Sequence, residues 1–177
     1  MASPILELDD LTVRFHLKRG SLTAVDGVSF SIGAAETFGL VGESGSGKTV
    51  TARSIMRLVP TPPGEIAKGR ILFNGDDVYG KSDHELRAIR GNDIAMVFQE
   101  PMSALNPVYT VGSQISDALR TNLGLGKAEA KERVIELMNL VGIPAAASRY
   151  ESYVHEFSGG MRQRVMLAMA LSCDPTF

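Results

Sequence analysis

With 177 residues, 44% hydrophobic and 21% charged, the chain has the composition of one ordinary soluble domain, or most of one, with a sizeable core. Its net charge of −2 leaves no electrostatic footprint for a polyanion, which argues against nucleic acid as a main partner. The stretch from Met1 to Asp10 has no basic segment followed by a long apolar one and is not read as a secretory signal, so the chain is expected to stay in the cytosol. The longest strongly apolar run, from Val165 to Cys173, is too short for a bilayer core of about 30 Å, so membrane contact is expected only through a partner.

Ile5 to Phe15 and Leu22 to Ile32, broken by Lys18-Arg19-Gly20-Ser21, predict two antiparallel strands joined by a turn. The compact apolar segment Thr37 to Val41 predicts a strand running into a glycine-rich loop, and Lys48 to Leu58 a helix that Pro60 stops. Thr61-Pro62-Pro63-Gly64 reads as a loop, Gly69 to Phe73 as a short strand, and Asn74-Gly75 as a turn of hairpin type. Ser82 opens a further helix, Glu85 completes its capping box, and Gly91 is placed to end it. Asp93 to Phe98 predicts a buried strand.

From Pro101 to Glu156 the texture turns helical, with helices expected near Val111 to Thr121 and Lys127 to Val141. Ala130, Val134, Leu137 and Val141 give the second one apolar face, and Gly142 with Pro144 terminates it. The pattern is a helical insert within an α/β domain, without internal repeat. The lone Cys173, expected late in an apolar helix, cannot form an internal disulfide and reads as a small core residue. His16, His84 and His155 stand at no recognisable ligand spacing and read as surface residues.

Gly42-Glu43-Ser44-Gly45-Ser46-Gly47-Lys48-Thr49, followed by Val50, is a complete phosphate loop (Walker A). Glycines at 42, 45 and 47 let backbone N–H groups turn inward around phosphates, and the helix opening near Lys48 adds its positive end. In the usual arrangement the lysine reaches the β- and γ-phosphates and Thr49 offers its hydroxyl to Mg2+. The loop alone does not choose among GTPases, kinases, helicases and transporters.

Two further segments narrow the choice: Val97-Phe98-Gln99-Glu100-Pro101-Met102-Ser103-Ala104-Leu105-Asn106-Pro107, and Glu156-Phe157-Ser158-Gly159-Gly160-Met161-Arg162-Gln163-Arg164. They resemble the Q-loop and signature motif of an ATP-binding cassette (ABC) transporter subunit, and the long Q-loop stretch is similar to the dipeptide, oligopeptide and nickel importer branch. The resemblance covers essentially the whole chain. It implies ATP and Mg2+ as cofactors, with Gln99 sensing the metal and the attacking water while the loop after it touches a transmembrane permease. It implies that Ser158, Gly159, Gly160 and Met161 close over the γ-phosphate held by a second ABC subunit in a head-to-tail dimer. A permease and, indirectly, a substrate-binding protein would complete the assembly on the inner face of the cell membrane. Phe15 falls where the family usually carries an adenine-stacking tyrosine. It reads equally as a core strand residue. Met161 stands where the commonest signature has glutamine, and Val154 where a proline is expected before His155.

Asp174-Pro175-Thr176-Phe177 resembles the lead-in to the family's Walker B strand, which carries the magnesium-binding aspartate and catalytic glutamate. The expected fold is an incomplete α/β domain of the P-loop NTPase class. Its antiparallel β subdomain and loop core fall in residues 1–100, a helical subdomain in 101–157, and the signature helix in 158–177, with the C-terminal part of the sheet missing. Such a chain alone is expected to hydrolyse little or no ATP. The principal reading is the ATP-binding subunit that energises a peptide or nickel importer. The alternative is a catalytically inactive nucleotide-binding or dimerising fragment that regulates intact subunits. A DNA-acting cassette ATPase is a third, without the coiled-coil or zinc insertion it requires.

Overall fold

The structure is a computed structural model that describes residues 3–99 and 104–177. They form two compact units, one running to Leu86 and the other from Arg87 to Phe177. The Q-loop residues Glu100, Pro101, Met102 and Ser103 lie outside the described residues.

The first unit is built on strands β1 (Leu6–Leu17), β2 (Gly20–Ile32), β3 (Gly64–Phe73) and β4 (Asp76–Asp77), antiparallel in the order β2-β1-β3-β4. The first hairpin closes on Lys18-Arg19, with Leu17 opposite Gly20. In β1 the buried positions change parity, from Leu6 and Leu8 to Leu11 and Val13. A bulge at Asp10, whose φ is 51°, makes this possible, because one extra residue returns the later apolar side chains to the core face. Gly69 faces the bulge at φ 83°, and a Cβ there would lie 2.3 Å from the Asp10 carbonyl oxygen and 2.4 Å from that of Asp9. Arg70 pairs with Asp9 beside it. The strand expected from Gly69 begins at Gly64, because β1 supplies partners that far, Phe15 opposite Gly64. Asn74 and Gly75, both at positive φ, make the predicted hairpin turn.

Helix α1 (Lys48–Ile55) is shorter than predicted. Arg57 adopts φ 50°, and the Arg57 and Leu58 N–H groups donate back to Ser54 and Arg53 carbonyls, a helix stop three residues before Pro60. The strand expected at residues 37–41 is absent. A strand exists by pairing, and among the described residues no strand pairs with this segment. Phe38 stacks on Phe30 at 4.7 Å, while Val41 is 92% exposed.

Helix α2 (Asp83–Ile89) opens as predicted, with the Ser82 N–H and hydroxyl both donating to the Glu85 carboxylate and the Glu85 N–H to Ser82 Oγ. The Ser82 hydroxyl, then its backbone N–H, hold the Glu85 carboxyl below its usual 4.5. Because the native pKa is the lowered one, the capping contribution is complete above about pH 4.5 and is lost as pH falls through that lower value. Ser82→Ala is expected to raise the Glu85 titration midpoint in a carboxyl NMR titration. An unchanged midpoint contradicts the assignment.

The second unit contains α3 (Val111–Leu123), α4 (Lys127–Leu140), α5 (Ala146–Arg149) and α6 (Gly159–Ala170) around a core that includes Ile115, Leu119, Val134, Met138, Phe157 and Val165. Thr110 Oγ1 caps α3 by accepting from the Ser113 N–H, and Gly124 ends it at φ 69°. Ala130, Val134 and Leu137 are buried as predicted, whereas Val141 lies past the end of α4 and is half-buried. Tyr150 packs where Gly112 lacks a Cβ, and its hydroxyl bonds Ser116 Oγ at 2.7 Å. Val154 is fully buried in this core, a physical reason for an aliphatic residue where the motif led one to expect proline.

Residues 93–98 are not the expected buried strand. Ile94 is buried but Val97 is 46% exposed. Pairing is confined to its start: the Ala95 N–H donates to the Phe177 carbonyl, and the Phe177 N–H to that of Asp93, as in parallel strands. Cys173 is buried as predicted but sits beyond the end of α6, with Sγ 3.6 Å from Asn122 Nδ2. Among the described residues, no helix is long and apolar enough to cross a membrane.

Candidate nucleotide-binding site

The phosphate loop leads into α1 through two left-handed glycines, Gly45 at φ 82° and Gly47 at φ 89°. Gly47 is the N-cap of α1 and offers no side-chain cap, so the first N–H groups of the helix are left for another acceptor. It also passes close to β2: a Cβ on Gly47 would fall 2.3 Å from the Ala24 carbonyl oxygen. One on Gly42 would fall 2.6 Å from Ser46 Oγ. At Gly47 the neighbour is backbone and only glycine permits the approach, whereas the Ser46 hydroxyl can rotate away from Gly42.

The Lys48 ammonium donates to the Gly42 and Glu43 carbonyls, both at 2.7 Å, and to Ser46 Oγ at 3.3 Å, holding the loop curled over itself. Ser44 is exposed at the loop tip, and Thr49 is exposed with no hydrogen-bond partner for its hydroxyl among the described residues. Thr51 instead turns its hydroxyl back to the Gly47 carbonyl at 3.1 Å.

A cleft of about 360 Å3 runs from this loop to the first hairpin, walled by Phe15, Leu17, Leu22 and Ala24 on one side and by residues 45–50 on the other. Phe15 is half-buried on the cleft wall and is not a core residue. Leu17, Leu22 and Ala24 escaped the sequence reading, although they share a strand face with Phe15, since Phe15 pairs with Leu22 and side chains two apart point the same way.

Gln99 and the signature segment belong to the second unit. Gln99 is exposed. Ser158 Oγ accepts from the Met161 N–H at 3.4 Å as the N-cap of α6, and Gly159 and Gly160 have no heavy atom within 4 Å of where a Cβ would stand. The Met161 side chain instead packs against the helical core. Arg162 Nε donates to the Val154 carbonyl at 3.0 Å, tying α6 to the preceding turn. His16 bonds Ser21 and Glu65, His155 stacks on Tyr153 at 5.7 Å and His84 is exposed. Among the described residues, no group of three or more His, Cys, Asp or Glu side chains is placed to hold a metal.

One cleft thus joins a glycine-rich loop, a lysine and an aromatic face. Gly47 leaves no room for a Cβ, the Lys48 ammonium rests on two loop carbonyls, and an aromatic face stands at the far end. The fold is that of an ATP-binding cassette. The chain superposes on the dimeric structure of MJ0796, described as a bacterial ABC transporter cassette, with a TM-score of 0.84 over 96% of this chain and 70% of that one, at 24% identity. It also superposes on cbiO1 from Clostridium perfringens, part of the ABC transporter complex cbiONQ, with a TM-score of 0.75 over 98% of this chain and 63% of that one, at 23% identity.

The ABC transporter family profile matches residues 25–177, and the chain belongs to this family. It is 47% identical over 171 residues to the oligopeptide transport ATP-binding protein OppD of Bacillus subtilis (strain 168), covering 97% of this chain and 48% of that protein. To the dipeptide transport ATP-binding protein DppD of the same strain it is 48% identical over 171 residues, covering 97% and 51%. The chain therefore spans about half the length of these curated relatives.

Proposed function

We propose that this chain binds ATP with Mg2+ in the cleft between Phe15 and the phosphate loop, as the ATP-binding part of an importer for peptides, or for nickel. The observation that carries the reading is that Phe15 and residues 45–50 wall one cleft. The adenine lies on the Phe15 ring, and the phosphates take N–H groups from the loop and from the start of α1, around Gly45, Ser46, Gly47, Lys48, Thr49 and Val50. Lys48 gives up the Gly42 and Glu43 carbonyls to reach the terminal phosphates. The Thr49 hydroxyl would hold the metal, and Gln99 is the residue that the family resemblance assigns to sensing it; when bound, the metal would neutralise charge developing on the phosphates. Ser158, Gly159, Gly160 and Met161 open α6 and present its first N–H groups to the γ-phosphate of a nucleotide on a second ABC subunit.

ATP binding closes that head-to-tail dimer, and hydrolysis reopens it. Permease subunits turn the movement into transport at the inner face of the cell membrane, supplied by a substrate-binding protein. Peptide cargo is suggested by the names of the relatives.

Titration calorimetry with ATP, with and without Mg2+, tests the reading. Saturable binding is expected, weakened at least about thirtyfold in Lys48→Ala, which removes the charge opposite the phosphates. Equal affinity in the two proteins would refute it.

A further inference from the structure

The buried residues of α1 are Thr51, Ser54 and Ile55, and two of the three carry a hydroxyl where a helix usually turns aliphatic carbon to the core. Thr51 Oγ1 donates to the Gly47 carbonyl at 3.1 Å and Ser54 Oγ to that of Val50 at 2.8 Å, both local bonds along the helix. Neither fixes α1 against the rest of the fold. A bond from outside does so at its C-terminal end, where the Tyr79 hydroxyl, 25 residues away in sequence, donates to the Ser54 carbonyl at 3.1 Å. Arg57, just past the helix, ties the same end again. Its Nη1 donates to the Lys81 carbonyl at 2.9 Å, and its guanidinium stands 6.0 Å from the centre of the Tyr79 ring. Tyr79 is itself fixed: it lies in the 3-10 turn Val78–Gly80, its N–H donates to the Asp77 carboxylate at 2.9 Å, and Val78 beside it is buried.

We propose that Tyr79 is a positioning residue for the phosphate loop: by holding the far end of α1 it aims the first N–H groups of the helix at the phosphates, a role that rests on the nucleotide reading above. The C=O and N–H of one planar trans peptide point opposite ways. The Gly47 carbonyl points down the helix, to the Thr51 N–H at 2.8 Å and to the Thr51 hydroxyl, so the Lys48 N–H points out of its start. The direction of that N–H therefore follows the helix axis. Eight residues make a rod about 12 Å long, so a tilt of about 10° displaces one end relative to the other by about 2 Å. An N–H···O bond does not survive a displacement of that size.

The test is calorimetric titration of the chain with ATP and Mg2+, and with inorganic triphosphate, which probes the phosphate contacts alone, well below the melting temperature. Tyr79→Phe removes only the hydroxyl and is expected to weaken both ligands by the same factor, about threefold or more. Ile71→Val is the control for stability. Ile71 is fully buried in β3 opposite Leu8, and its truncation is expected to lower the melting temperature while leaving both affinities within about twofold. A merely structural Tyr79 would behave in the same way, so a loss of less than about threefold in Tyr79→Phe overturns the inference and leaves the nucleotide reading intact. Weakening of ATP alone, with triphosphate unchanged, overturns it as well. Failure of the unmodified chain to bind either ligand removes the nucleotide reading itself, and the inference with it. Arg57→Gly suits a φ of 50° and removes the second tie, so it decides the matter if Tyr79→Phe does not fold. Weaker triphosphate binding is expected there, and an unchanged affinity overturns the inference.

Discussion

Gly47→Ala is expected to lower ATP affinity at least a hundredfold, about 2.7 kcal/mol, while leaving the first hairpin folded. Two effects act together. An alanine at φ 89° costs about 1–2 kcal/mol of backbone strain, and its Cβ would stand 2.3 Å from the Ala24 carbonyl oxygen, a backbone atom of β2 and not the end of a flexible side chain. The start of α1 must then move off β2, taking with it the N–H groups of Lys48, Thr49 and Val50. Gly45 supplies the control. It has a similar φ of 82° but no atom within 4 Å of its Cβ position, so Gly45→Ala carries the strain alone and should retain weakened binding. Calorimetry beside circular dichroism reads both variants. ATP affinity in Gly47→Ala within threefold of the unmodified chain would show that the contact with Ala24 does not hold the loop.

The largest effect on stability is expected from Phe157→Ala. Phe157 is 2% exposed at the centre of the helical core, and truncating such a side chain typically costs about 3–5 kcal/mol. That is a large fraction of the roughly 5–15 kcal/mol that holds a domain together. The melting temperature should fall by about 10 °C. Leu140→Ala is the contrast: at 73% exposure it should shift stability by less than about 0.5 kcal/mol. A loss below about 1 kcal/mol for Phe157→Ala in urea unfolding would mean that the core collapses onto the gap. Because Phe157 immediately precedes Ser158, the same packing that stabilises the helices also fixes where α6 begins.

The features legible in the chain are those in which a residue acts on its near neighbours. The glycines and lysine of the phosphate loop, the Ser82–Glu85 capping box, the Asn74-Gly75 turn and the Ser158 cap all work within a few residues, and each was found where its motif placed it. The apolar face of α4 was legible for a related reason, since a 3.6-residue period needs no knowledge of the partner. The expected strands at residues 37–41 and 93–98 failed because an apolar segment becomes a strand only by pairing, which β-propensity does not supply. Val154, an unexplained departure in the motif, became intelligible only once the helices were assembled around it.

By itself, then, the sequence determined the glycine-rich loop at one end of the cleft, a contiguous segment whose backbone angles and charge are written in successive residues. The tertiary structure alone decided what the loop faces across the cleft. Phe15 was ambiguous between core and cleft because strand alternation shows that a residue faces one side of a sheet, and not what that side faces. Leu17 and Leu22 joined the site for the same reason, through a hairpin register and a close approach of Gly47 to β2 that long-range packing sets and local propensity does not.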